Sequence, residues 1–140
     1  MAVLPFSPER RGKRSSETYR AIHFQLEHLF KLHGLRNFTL SDSNGMILAH
    51  AGFLEESEAV AAYAPVLAKC TDRERRGQVI DTIGQHIPFD YSESIVDVRS
   101  FFVDGERLFL GVVGEGSATI ETAIYRALTG IRRIYKQSWN

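Results

Sequence analysis

The stretch SIVDVRSFFVDGERLFLGVV, Ser94 to Val113, decides the fold class. Two runs rich in Val, Ile, Leu and Phe flank Asp104-Gly105. Asp-Gly between β-prone runs is one of the strongest short-range signals for a two-residue hairpin. The stretch therefore predicts two antiparallel strands, over 94–103 and 107–113. Upstream, residues 36–40 and 46–50 read as a second pair around Ser43-Asn44-Gly45, where Asn-Gly suits the positive φ angles of a tight turn. Residues 78–83 supply a further strand, the third in chain order, followed by a loop over 84–93 with Pro88.

Three helices frame these strands. The first is capped by Ser15 or Ser16 and ends at Gly34, with Tyr19, Ile22, Leu26, Leu29 and Phe30 on one face. The last starts at Ser117 and runs to Lys136. Ile120, Ala123, Ile124, Ala127, Leu128, Ile131 and Ile134 line its core face, and Gly130 is expected to mark close contact with the sheet. The middle helix, residues 55–70, is unusual. Ala59 through Ala68 carries no charge and only one polar group, the Tyr63 hydroxyl, and Pro65 sits inside it. A helix apolar nearly all round must be covered on two sides. Val60, Ala64 and Leu67 suit packing on the protein's own sheet. Ala59, Ala62, Tyr63 and Val66, three and four apart, share the neighbouring face and form the candidate partner-binding surface. The order helix-strand-strand-helix-strand-strand-strand-helix gives an α+β domain, a five-stranded mainly antiparallel sheet flanked by helices. The domain spans 15–137, behind a basic tail over 1–14 with Arg10, Arg11, Lys13 and Arg14.

Composition narrows the function classes. The 140 residues suit one domain with a real core. Seventeen basic residues balance 17 acidic ones, which argues against a dedicated nucleic-acid binder. No apolar run is long enough to insert across a membrane, and no apolar signal region opens the chain, so a cytoplasmic location is expected. The single cysteine, Cys70, permits no intrachain disulfide. His23 and His28 lie five residues apart, about 140° around a helix, and cannot converge on one ion. Asp42-Ser43-Asn44-Gly45 lacks the alternating oxygen ligands and closing Glu of a calcium loop. Neither Ser41, Asp42 and His50 nor Cys70 and His86 carries the local signature of a nucleophile. Gly111, Gly114 and Gly116 precede a helix but lack the dinucleotide spacing, and Glu115 would repel phosphate. Asp81, Asp90, Glu93 and Asp97 read as a solvated acidic rim. No catalytic residue, metal or cofactor is expected.

Residues 38–49 (Phe38-Thr39-Leu40-Ser41-Asp42-Ser43-Asn44-Gly45-Met46-Ile47-Leu48-Ala49), the Ala-rich helix, Leu108-Phe109-Leu110-Gly111-Val112-Val113 and the closing helix together resemble the roadblock family, the dynein light chains and their bacterial GTPase-regulating relatives. The similarity covers about 35–137. It implies a non-enzymatic module that pairs into homodimers or heterodimers and binds a small Ras-like GTPase on the platform so formed. It also implies that sheets join edge to edge through the third strand, here Gln78, Val79, Ile80, Asp81, Thr82 and Ile83, with the helices over 58–70 side by side. Pro65 and the basic tail depart from the family pattern. The alternative is a small-molecule sensor resembling PAS or GAF modules, which would need an internal cavity with converging polar groups.

Overall fold

In the computed structural model, which describes residues 8–70, 72–86 and 95–137, the elements are α1 (Pro8–Leu32), β1 (Asn37–Asp42), β2 (Ile47–Ala51), α2 (Leu54–Lys69), α3 (Arg73–His86), β3 (Ile95–Val103), β4 (Glu106–Gly114) and α4 (Ser117–Gln137). The four strands form one antiparallel sheet in the order β2-β1-β4-β3. The hairpin at Asp104-Gly105 is as read: both residues are left-handed, at φ 53° and 78°. In the β1–β2 turn only Gly45 has positive φ, at 79°. That turn is held by Asp42, whose Oδ1 accepts the N–H groups of Asn44 and Met46 at 2.9 and 3.0 Å.

Side-chain alternation divides the core into two layers. Leu108, Leu110 and Val112 of β4, with Phe38 and Leu40 of β1, pack under α1 and α4 against Ile22, Leu26, Ile124 and Ile131. Phe109 and Val113, with Val96 and Val98 of β3, face Val60, Ala64 and Leu67 of α2.

Three expectations need correction. First, α1 begins at Pro8, not at Ser15 or Ser16. Proline fixes φ and lacks the N–H that a first turn cannot bond, so it opens a helix well. The expected tail is thus helical from Pro8, and 1–7 lie outside the described residues. The other end is as expected: Gly34, at φ 61°, lets Leu35 N–H reach Phe30 O at 2.9 Å, a Schellman closure.

Second, the sheet has four strands among the described residues, because Gln78, Val79, Ile80, Asp81, Thr82 and Ile83 belong to α3. The pattern explains why. Val79, Ile80 and Ile83 fall one and four apart, which makes one helical face and breaks strand alternation. Asp72 starts the helix, its Oδ1 accepting Glu74 N–H at 3.0 Å and its carbonyl accepting Arg76 N–H at 3.0 Å. Val79 and Ile80 then pack against the α2 cluster. Of the expected loop, 84–86 are the end of α3 and 87–94, including Pro88, lie outside the described residues.

Third, Gly130 faces α1 and not the sheet. A Cβ there would collide with the amide of Gln25. Gln25 crosses at this point and donates to the Arg126 carbonyl at 3.3 Å. The residue pressed between sheet and helix is Gly111, where an added Cβ would stand 2.5 Å from Val60 Cγ1.

Candidate interaction surface

The placement of α2 begins with a polar anchor at its first turn. Glu56 and Ser57 are both fully buried. Glu56 Oε1 lies 3.7 Å from Arg36 Nε, the ion pair such burial requires. Ser57 Oγ accepts from Asn37 Nδ2 at 2.9 Å, and Asn37 Oδ1 accepts from the Thr39 hydroxyl at 2.5 Å. On its other side Ser57 Oγ meets His50 Nδ1 at 3.2 Å. Burial lowers the pKa of His50 below the usual histidine value, and the nearby His23 lowers it further against an opposing hydrogen bond at Gly52. This chain of polar contacts ties the helix start to β1 and the edge strand β2.

Beyond the anchor, α2 lies flat on the sheet through Val60, Ala64 and Leu67, as expected. It passes Pro65 without interruption to Lys69. The four candidate partner-binding residues divide between two situations. Ala62 and Val66 stand in solvent, Val66 at 41% exposure. Ala59 and Tyr63 are half-buried and pack against the α2 cluster, which Val79 and Ile80 of α3 also join. The second cover that the apolar helix demanded is therefore partly α3, from the same chain.

What remains open is a stripe along α2 that leads into a cleft at its C-terminal end. The cleft has a volume of about 350 Å³ and is lined by Pro65, Val66, Lys69, Cys70, Asp72 and Arg75. Lys69, Asp72 and Arg75 were not singled out in the sequence, and Pro65 and Cys70 were not read as lining a site, because the cleft exists only once α3 folds back beside α2. The charged run after an apolar helix was the available signal.

The other sequence candidates have structural roles. Ser41 is buried in β1, and Asp42 holds its turn. Gly114 lies against Leu35 and Ile120, and Gly116, at φ 80°, leads into α4. His23 sits 3.9 Å from Glu27 on α1. Asp97 pairs with Arg76 and Arg99, and Arg99 with Glu121, so that an ion-pair ladder wraps the β3 edge from α3 to α4. Asp81 is exposed, while Asp90, Glu93 and the side chain of His86 lie outside what is described. Cys70 is free and half-buried. Among the described residues no group of three or more His, Cys, Asp or Glu is arranged to hold a metal ion, and no helix is long and apolar enough to cross a membrane.

Comparison with solved structures agrees with the fold expected from the family resemblance. Myxococcus xanthus MglB superposes with a TM-score of 0.55, over 97% of this chain and 96% of that chain, at 14% sequence identity. The fold is MglB-like. At that identity the likeness is one of fold, extending over nearly the whole of both chains. No protein-family model and no curated protein sequence matches the chain.

Proposed function

We propose that this chain is a non-catalytic, GTPase-regulating module of the roadblock type, which uses the open stripe of α2 to bind a small Ras-like GTPase. One observation carries the reading: in an MglB-like fold, α2 leaves Ala62 and Val66 in solvent. Small side chains let a partner backbone come close, and an apolar stripe ending in a polar cleft has the composition of an interface core and rim. Pairing of two copies is part of the proposal. The route implied by the resemblance, sheet edge to sheet edge through 78–83, is not open to a helix, so pairing is assigned to the exposed side of α2.

Ala62→Arg tests this directly. Ala62 is exposed, so the variant should keep its melting temperature, because surface changes of this kind stay within about 0.5 kcal/mol. Binding of purified Ras-like GTPases loaded with a GTP analogue should be lost, and light scattering should read 15.8 kDa in place of a dimer. A folded variant that still binds and still pairs would refute the reading.

A further inference from the structure

The exposed side of α2 carries a pattern that is symmetric about its middle. Glu55, Glu58, Ala62, Val66 and Lys69 are all exposed, and they follow one another at intervals of three, four, four and three residues. Such spacing keeps them on one face of the helix, and it reads the same from either end. Acids stand at the first end, a small residue at the centre and a base at the last. Arg75, an exposed cation in the first turn of α3, lines the cleft together with Lys69 and extends the basic end.

These charges are unclaimed within the chain. Nearby, Arg36 pairs with Glu56 and Arg76 with Asp97, but among the described residues Glu55, Glu58, Lys69 and Arg75 have no ion-pair partner. Asp72, the acid that lines the cleft, uses its Oδ1 to accept the N–H of Glu74. The helix dipole accounts for Glu55 and Lys69, in the first and last turns of α2. It does not account for Glu58, which lies beyond the first turn, or for Arg75, which belongs to another helix.

We propose that a second copy of this chain lies antiparallel on this face, so that Glu55 and Glu58 of one copy meet Lys69 and Arg75 at the cleft of the other. With Ala62 on the twofold axis, Glu55 of each copy stands opposite Lys69 of the other, about 10 Å along the helix from the centre. Glu58 stands opposite Val66, one turn short of Lys69. Ala62 meets Ala62, and two methyl side chains let the helices approach closely. The twofold repeats every contact, and each cleft receives the first turn of the other copy's α2. An order of acid, small residue and base complements itself only when reversed. The surface therefore selects an identical chain over a related domain. This inference rests on the pairing half of the proposed function and is independent of the GTPase half.

Charge inversion of the full chain tests it. The parent should sediment at twice 15.8 kDa and dissociate as salt rises. Glu55→Lys with Glu58→Lys should pair at least ~10-fold more weakly, because attraction becomes repulsion on both sides of the twofold. Adding Lys69→Glu and Arg75→Glu to that variant inverts the whole pattern. The fully inverted chain should recover pairing with itself and should not be captured by a tagged parent, since like charges would then meet at both ends. All four positions are exposed, so melting temperatures should stay near that of the parent. Should a reversal melt early, Glu55→Gln with Glu58→Gln removes the charge at unchanged size and should also weaken pairing. Three outcomes would overturn the proposal: a charge variant that pairs as tightly as the parent in the first step, a folded inverted chain that stays monomeric, or one that pairs with the parent as readily as with itself. A parent dimer that is lost in Ala62→Arg but indifferent to these charges would remove this inference and leave the pairing reading standing. A monomeric parent would remove both.

Discussion

The closest approach of helix to sheet is at Gly111, and Gly111→Ala measures how tightly α2 is held. The new Cβ would stand 2.5 Å from Val60 Cγ1, at least about 1 Å inside ordinary carbon–carbon contact. Its other neighbours, Val98 Cγ2 at 3.8 Å and Thr39 O at 3.9 Å, are no obstacle. Val60 cannot easily yield. It is 1% exposed, and a valine in a helix has one strongly preferred χ1. Either Val60 leaves its rotamer or α2 lifts, and the anchor at Ser57 resists lifting. Overpacking of this kind costs about 1–3 kcal/mol. Relief of glycine's excess flexibility in a strand returns about 0.5–1 kcal/mol. The net expectation is a loss of about 1–2 kcal/mol, some 3–8 °C in melting temperature at this chain length. Val60→Ala alone should also destabilise, by about 2 kcal/mol, from two lost methyl groups and the cavity left behind. The double variant should cost less than the sum by about 1 kcal/mol or more, since the methyl group added in Gly111→Ala occupies space that Val60 vacates. Urea unfolding of the four proteins completes the cycle. Additivity within about 0.5 kcal/mol would mean that the two residues do not touch, and the seating of α2 would be wrong.

Two further predictions concern the segments around this helix. Gly77→Ala should stabilise the domain by up to about 1 kcal/mol in urea unfolding, because Gly77 is an exposed position inside α3 with open space at its Cβ; a loss of stability there would speak for a non-helical segment. His50 should make the domain acid-sensitive. Its folded pKa lies below the unfolded value of 6.5, so its contribution is fully retained above pH 6.5 and is lost as pH falls through the folded pKa. His50→Gln should flatten that part of the stability-against-pH curve, and an unchanged slope would show that His50 is not the group responsible.

The hairpins were legible in the sequence because their turns are chemically dictated. Asp104-Gly105 can take two left-handed residues at little cost, and β-prone runs on both sides leave no competing element. The faces of α1 and α4 were legible for the same reason: a one-sided apolar stripe has few ways to be buried. The segment 78–83 was misread because Val79, Ile80, Thr82 and Ile83 are β-branched and favour strands by propensity. Its spacing pointed to a helix, and what selects the helix is remote in sequence. The cluster of Val60, Ala64 and Leu67 of α2 with Val96 and Val98 of β3 offers apolar surface against which Val79 and Ile80 pack. Tertiary burial decided between two local preferences.

The same remoteness explains the polar anchor and the two glycines. No local pattern distinguishes Glu56 from Glu55, yet Glu56 is fully buried beside Arg36 while Glu55 is exposed. The difference is set by which side of α2 meets β1, and that follows from the register of Val60, Ala64 and Leu67 on the sheet. Gly111 looks like a turn glycine beside Gly114 and Gly116, and Gly130 looks like a sheet contact. The structure assigns them the other way, Gly111 to the sheet–α2 contact and Gly130 to the α4–α1 contact. In both cases the glycine marks a close approach, and which partner approaches depends on the layer order. Val60 against Gly111 fixes the distance of α2 from the sheet, and Ser57 against Asn37 fixes its start. Together they set which residues of α2 can face outward. With Val60, Ala64 and Leu67 committed to the sheet, and Ala59 and Tyr63 half-buried against the same cluster, Ala62 and Val66 are left facing solvent.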